Sequence, residues 1–319
     1  MKRFTPLAAV LTLALATLPS ARAQQPARPP ITGISHISFY TSHPDQSQHF
    51  YVHDLGLKKM PDPINPTGIR YYIDSDQFVE ILPLPANQGV NRLAQIGFLT
   101  TNARQLRSYL QSRGVHVPNH VSRASDGSYW FNVTDPEGNQ VQFLQPPPHG
   151  VSMAGAHPIG RHMIHFGMLV HSRAKEDTFY RDILGFRPYW YGGMKDGKVD
   201  WVSQQVPNGH DWLEYMLTSG PSGSGIPARI SQQQLGVLDH FSIGIVNMEN
   251  AVTTLSREGR LKGNRYNGPQ IGRDGKWQFN LYAPDDARVE MMEYTPVEKP
   301  CCSPFTAANP TPPNSKPSR

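Results

Sequence analysis

The chain has 319 residues, with 30 Lys and Arg against 25 Asp and Glu and a formal net charge of +5. The basic residues are scattered without a stripe or cluster, which argues against a nucleic-acid interface and leaves small molecules as the expected partners. The two cysteines, Cys301 and Cys302, are adjacent, so no disulfide framework can staple the fold and stability has to come from packed cores. In chain order, Lys2 and Arg3, the apolar run Leu7 to Leu18 and the small-residue ending Ala21-Arg22-Ala23 have the layout of a secretory signal, with cleavage expected after Ala23. A membrane anchor needs about 20 apolar residues, more than this run supplies. The reading is therefore an exported protein, periplasmic or secreted, without a membrane span. Removing residues 1–23 takes away Lys2, Arg3 and Arg22 and no acid, so the charge falls from +5 to +2. Residues 24–32 read as an extended leader, and 297–319 as a disordered Pro-rich tail in which the cysteine pair suits either a vicinal disulfide or two surface thiols. The stretch 148–161, entered through Pro146-Pro147-Pro148, reads as a linker between two domains, 33–147 and 162–296.

Within those domains the sequence repeats. Ile34-Ser35-His36-Ile37-Ser38-Phe39 is followed by Phe50-Tyr51 and Gly56-Leu57, and Ile164-His165-Phe166-Gly167 is followed by Phe179-Tyr180 and Gly185-Phe186. His36 to Tyr51 and His165 to Tyr180 both span 15 positions, so the two histidines hold one place in a repeated unit. Weaker copies start at Leu93 and Leu238, each leading into a helix: Thr101 or Asn102 and Asn247 suit its N-cap, and Gly114 and Gly259 the left-handed residue after its end. Final strands are predicted at Phe78–Leu82, Val141–Leu144, Trp212–Leu217 and Val289–Met292, the second and fourth after the turns Asp135–Asn139 and Ala283–Asp286. Counted from Pro136 and Pro284, Gln142 and Glu290 coincide, six residues on. Four βαβββ units, an α+β fold, account for nearly all of the ordered chain.

This pattern over residues 33–296 resembles the vicinal-oxygen-chelate superfamily, which includes glyoxalase I, extradiol dioxygenases and bleomycin-resistance proteins. The resemblance implies two tandem domains, each folding two units into an eight-stranded cup, with ligands from the first and last strand of each unit meeting at its floor. A glyoxalase I-like site uses His, Glu, His, Glu in chain order. The second domain matches all four positions with His165, Glu214, His240 and Glu290, whereas the first keeps His36 and Glu80 but has Gln95 and Gln142. Two neutral amides in place of an imidazole and a carboxylate make the first cup a weak divalent-metal site, so it reads as a degenerate or structural copy.

Two imidazoles and two carboxylates neutralise a divalent ion, and at six-coordination leave two positions for water or substrate. A substrate with neighbouring oxygens can occupy both, and the metal then stabilises charge developing on oxygen. The resemblance makes Glu214 or Glu290 the catalytic base, as a ligand carboxylate that can leave the metal. The ligand types admit Fe, Ni, Co, Mn or Zn. Our leading expectation is a metal-dependent lyase or isomerase of glyoxalase I type. One alternative is an extradiol-type ring-cleaving dioxygenase, with His165, His240 and Glu290 as its metal triad and His210 and Tyr282 as candidates for outer-sphere groups. A periplasmic ligand-binding or resistance protein without catalysis is the other. Strand periodicity places His162 on the opposite face from His165, hence solvated, and the aromatics of this half, Tyr189, Trp190, Trp201, Trp212 and Trp277 among them, are expected mainly to pack. Because cups of this superfamily form within one chain or by exchange between chains, a homodimer stays open.

Overall fold

The computed structural model describes residues 26–217 and 229–313. The expected signal 1–23, the Gly-rich connector Ser219–Gly225 and the last residues of the tail lie outside the described residues. The first half contains β1 (Ile31–Thr41), α1 (Pro44–Gln48) running into a π-helical turn (His49–Asp54), β2 (Lys58–Pro61), β3 (Ile69–Tyr72) and β4 (Phe78–Pro83). It continues with β5 (Leu93–Thr100), α2 (Ala103–Ser112), β6 (Ser122–Arg123), β7 (Tyr129–Thr134) and β8 (Gln140–Gln145). The second half repeats the order with β9 (Met163–Val170), α3 (Arg173–Asp177) and its π-helical turn (Thr178–Ile183), β10 (Arg187–Gly192), β11 (Trp201–Gln205) and β12 (Trp212–Leu217). After an additional helix α4 (Gln232–Leu238) come β13 (His240–Ile245), α5 (Met248–Arg257), β14 (Tyr266–Ile271), β15 (Trp277–Tyr282) and β16 (Arg288–Glu293). The strands form two eight-stranded sheets of one topology, β2-β3-β4-β1-β5-β8-β7-β6 and β10-β11-β12-β9-β13-β16-β15-β14. In each, the first strands of the two units pair antiparallel at the centre and each unit's last strand lies parallel to its first.

The local signals act as expected. Asn102 and Asn247 cap α2 and α5 by accepting from the backbone N–H of Gln105 and Asn250, and Gly114 and Gly259 follow at φ +81° and +72°. The unpredicted α4 starts with a capping box between Ser231 and Gln234. Strand alternation sends successive side chains to opposite faces. On one face Phe39, Phe98, Phe166 and Phe241 join a core shared by both halves, with ring centroids 5.3 Å apart for Phe98–Phe166. The opposite face carries His165, Glu214, His240 and Glu290.

The halves also hold each other through reciprocal turns. In the turn before β8, Glu137 accepts from the backbone N–H groups of His171 and Ser172, and Asp135 from the Tyr180 hydroxyl. In the matching turn before β16, Asp285 accepts from the Ser42 backbone and from the hydroxyls of Thr41 and Ser42. The Pro-containing signals read from the sequence as turns are thus inter-half clamps as well. The stretch 148–161 packs too: the N–H groups of Val151, His157 and Ile159 donate to Ser75, Gly56 and Leu55.

Residues 297–313 depart from the expected disorder. The backbone N–H of Thr306 donates to Tyr189, Ser303 Oγ bridges the N–H and carbonyl of Tyr191, and Gln205 Nε2 donates to the Ala308 carbonyl. Cys301 and Cys302 are bonded to each other, and the Cys301 carbonyl accepts from Trp190 Nε1. The prolines prevent a helix or a regular added strand, but they do not prevent an extended strap from lying along the β10 edge. Among the described residues no helix is long and apolar enough to cross a membrane.

Candidate metal centre

The four second-half residues chosen from the repeats share one face at the middle of the second sheet. His165 on β9 lies opposite Ser242 of β13, and His240 on β13 lies opposite Gly167 of β9, so the two rings approach each other across the central pair. Gly167 is required there: a Cβ at that position would sit 2.1 Å from His240 Cε1. Glu290 pairs with Ser242 along β16, and Glu214 with Gly167 along β12, which brings each carboxyl beside one imidazole.

Three donor atoms converge. His165 Nε2 lies 3.2 Å from His240 Nε2 and 3.1 Å from Glu290 Oε2. Metal–ligand bonds of about 2.0–2.2 Å put neighbouring donors roughly 3–3.5 Å apart, so this trio fits one ion. Glu214 stands slightly back, with Oε2 at 3.6 Å from His240 Nε2, outside the mutual convergence of His165, His240 and Glu290. His240 Nδ1–H donates to the Leu238 carbonyl at 2.8 Å, which leaves the Nε2 lone pair of the neutral ring aimed at the centre.

The electrostatics favour the same state. Burial, with Arg288 and His165 nearby, holds the His240 imidazole well below its usual range, and burial also lowers His165, so both rings are neutral. Burial raises Glu290, but the His165 hydrogen bond and the charges of Arg288 and Lys276 outweigh it and keep this carboxylate ionised. Burial and the charge on Glu290 push Glu214 up to about 8. Four buried side-chain atoms around the site lack any partner: His165 Nδ1, Ser242 Oγ, Asn280 Oδ1 and Arg288 Nε. Buried polar groups are normally satisfied, so such a cluster is what a site built for another species looks like. The donor set, two neutral imidazoles with one or two carboxylates, suits one divalent metal ion.

A cavity of about 500 Å³ opens onto Glu214 and Glu290. Its walls include Tyr189, Trp190, Trp201 and Trp212, and Phe305 from the strap, so these aromatics pack against one another as expected and line the mouth as well. Trp212 stacks on His165 with centroids 4.6 Å apart. Behind it lies Lys276, wholly buried, its Nζ 4.8 Å from the Trp212 ring and 3.3 Å from the Tyr189 hydroxyl. Burial lowers this ammonium to about 8 against the pull of Asp274, Glu290 and Glu214.

Lys276, Asp274, Arg288, Asn280 and Phe305 were not read from the sequence. Arg288 could have been: it stands two residues before Glu290 on one strand and so shares its face. Phe305 could not, because nothing local distinguishes it within a Pro-rich tail. His162 is not solvated as expected; its Nε2 lies 2.7 Å from Asp211 Oδ1, and that charge, with Asp74, raises its pKa against burial. His210 is exposed and Tyr282 lies under the Arg265 guanidinium, and neither lines the cavity, so the two outer-sphere candidates fall away.

The first cup has the same register with different chemistry. His36 stacks on Phe78 and reaches Gln95 Oε1 at 3.2 Å, and Gln142 donates to Asn132. Arg70, opposite Glu80 on β3, lies 4.1 Å over the Phe78 ring and pairs with buried Asp62 at 3.0 Å. Burial and Asp62 raise Glu80 to about 8, and burial with Arg70 drops His36 to about 3.

No protein-family model matches the chain, and no curated protein matches its sequence. Solved structures do. The 2,3-dioxygenase LapB from Pseudomonas sp. KL28 is 16% identical at a TM-score of 0.60, covering 86% of this chain and 98% of its own. Homoprotocatechuate 2,3-dioxygenase from Brevibacterium fuscum, in complex with 3,4-dihydroxyphenylacetate, is 16% identical at 0.61, covering 87% and 86%. A Mn(II)-bound glyoxalase from Novosphingobium aromaticivorans is 16% identical at 0.60, covering 83% of each chain. With the sheet topology above, these matches show the fold: two tandem domains, each an eight-stranded sheet built from two βαβββ units, as in those dioxygenases and that glyoxalase.

Proposed function

We propose that the second half is a metal-dependent enzyme of extradiol type, which cleaves the ring of a catechol-like substrate and places both atoms of dioxygen in the product. The observation that carries this reading is the convergence of His165, His240 and Glu290 without Glu214, a two-histidine, one-carboxylate set with coordination positions left open. The metal supplies a centre on which a substrate with two neighbouring oxygens binds through both. The chain's own residues do the rest. Trp190, Trp201 and Trp212 offer flat walls to an aromatic ring, and Arg288, which lines the same cavity, offers a cation to a substrate oxygen. Two of the matched structures are 2,3-dioxygenases, which favours this class over the lyase expected from the sequence.

Glu214 supports a second reading, a glyoxalase-type isomerase. Its carboxyl is mostly buried, lies 3.6 Å from His240 and accepts from Ser203 Oγ at 3.5 Å, a position that suits a group taking a proton from a bound hydroxycarbonyl. The test is to load the protein with Fe(II) or Mn(II) without air and then supply 3,4-dihydroxyphenylacetate, or a hemithioacetal, with and without dioxygen. Stoichiometric oxygen uptake with the catechol supports ring cleavage, and turnover of the hemithioacetal without oxygen supports the isomerase. Absence of bound metal and of both activities leaves a ligand-binding protein. We infer export from residues 1–23 and retain 33–147 and 162–296 as the domain limits. A periplasmic product beginning at Gln24, read by mass spectrometry, checks the first point.

A further inference from the structure

We infer a second divalent-metal site, separate from the cup, formed by His49, His53 and Asp54 where the two halves meet. His49 and His53 are four residues apart on the π-helical turn after α1, and their rings stack with centroids 4.6 Å apart and planes within 16° of parallel. Asp54 follows at once: its Oδ1 lies 2.7 Å from His53 Nδ1 and 3.6 Å from His49 Nε2, so three donors of different residues lie within reach of one ion.

The carboxylate is held in place from the other half of the molecule. Asn264 Nδ2 donates to Asp54 Oδ2 at 2.8 Å, and Arg260 Nε donates to the Asp54 backbone carbonyl at 2.8 Å. Asn264 is itself fixed by a second bond to the Arg260 carbonyl. A ligand carboxylate oriented by an amide is the outer support that metal sites commonly carry. The Asp54 side chain is 4% exposed while those of His49 and His53 are 65% and 52% exposed, so the site has a carboxyl floor fixed in the structure and two imidazoles open to an ion arriving from solvent. Two nitrogens and one oxygen suit borderline divalent ions, zinc, copper or nickel, over magnesium or calcium, with water completing the coordination. Because Asp54 is tied to Asn264 and Arg260, the site sits on the contact between this π-helical turn and the loop after α5 of the second half.

The two sites can be told apart by counting. The metal-free full-length mature protein is titrated with zinc against a chromogenic chelator. Expected are two equivalents for the wild type, one for His49→Ala/His53→Ala and one for His240→Ala. Asn264→Ala, which removes only the group orienting Asp54, should weaken the surface site by about tenfold or more. Zinc should also raise the melting temperature of His240→Ala and lose that effect when His49 and His53 are replaced in addition. Both histidines are exposed, so their loss leaves the folded core untouched, and an unchanged melting curve of the metal-free variant verifies it. The inference is overturned if His49→Ala/His53→Ala binds as many equivalents as the wild type, or if His240→Ala binds none. Loss of the cup site alone, with the surface equivalent retained, counts against the proposed enzyme and leaves this site standing.

Discussion

The two cups place their functional side chains in one register, yet they answer the cost of a buried carboxyl differently. In the first, Arg70 stands opposite Glu80 and a guanidinium paired with Asp62 supplies permanent positive charge. The second cup has Ser203, a neutral hydroxyl, opposite Glu214, and its cations Arg288 and Lys276 act mainly on Glu290. Burying an ion without a partner is prohibitively costly: the first cup meets Asp62 with Arg70, the second meets Glu290 with Arg288 and Lys276, and the donors that converge beside Glu290 leave room for a further cation from outside. The substitutions Gln95 for histidine and Gln142 for glutamate belong with Arg70 as one change. They replace a site that exchanges its cation by a packed polar core.

The sharpest way to break the comparison is to convert the second cup into the first. His240→Gln with Glu290→Gln should reduce metal affinity of the cup by more than about 100-fold, because even loss of an outer-sphere partner costs about 10–100-fold. Elemental analysis after dialysis against a weak chelator reads this directly, and full metal retention would remove the proposed ligand set. A smaller effect is expected in the first cup. Arg70→Met strands buried Asp62 and should lower unfolding stability by about 3–5 kcal/mol, whereas Ser203→Ala should cost about 1 kcal/mol or less. Urea melts on the metal-free proteins compare the two, and equal costs would mean that Arg70 is no structural cation.

The smallest effect concerns the surfaces joining the halves. Ser47 on α1 and Glu176 on α3 stand at matching places beside the partner half's turn, Ser47 bonded to Thr41 and Glu176 accepting from the Glu137 backbone. Burial, then the charges of Asp135 and Glu137, raises Glu176 to about 9 from 4.5. The folded state therefore holds a proton that the unfolded state has released, and stability falls as pH rises between those values. Glu176→Gln removes that dependence. Its melting temperature should match the wild type near pH 5 and exceed it by about 2–4 °C or more at pH 8.5. Parallel pH profiles would show that Glu176 carries no such proton.

The fold was legible because four units repeat one order of elements: a strand histidine stands 15 residues before a tyrosine in the first and third, an Asn-capped helix and a Pro-containing turn precede the last strand in the second and fourth, and strand period fixes which face each ligand takes. His165, Glu214, His240 and Glu290 meet for that reason alone. Less visible were groups whose importance depends on contacts across the chain. Lys276 looks like a surface lysine after a turn and is wholly buried behind Trp212. Phe305 sits in a segment whose composition predicts disorder and packs on Tyr189 with centroids 5.0 Å apart. That Glu214 stands back from the other three donors is a matter of tenths of an ångström, and no repeat alignment carries such resolution.

The reciprocal turns have a consequence for biogenesis. Thr41 and Ser42 finish β1 early in synthesis, yet their acceptor, Asp285, lies 244 residues further along. The first half therefore leaves the ribosome with a docking surface that stays vacant until almost the whole chain exists, and contacts of such long range slow folding. Since each half's turn satisfies polar groups of the other and they share one aromatic core, melting should proceed as a single cooperative event. A first half whose cup lacks the full ligand set then still serves the second, by supplying the partners of its turn and half of the shared core.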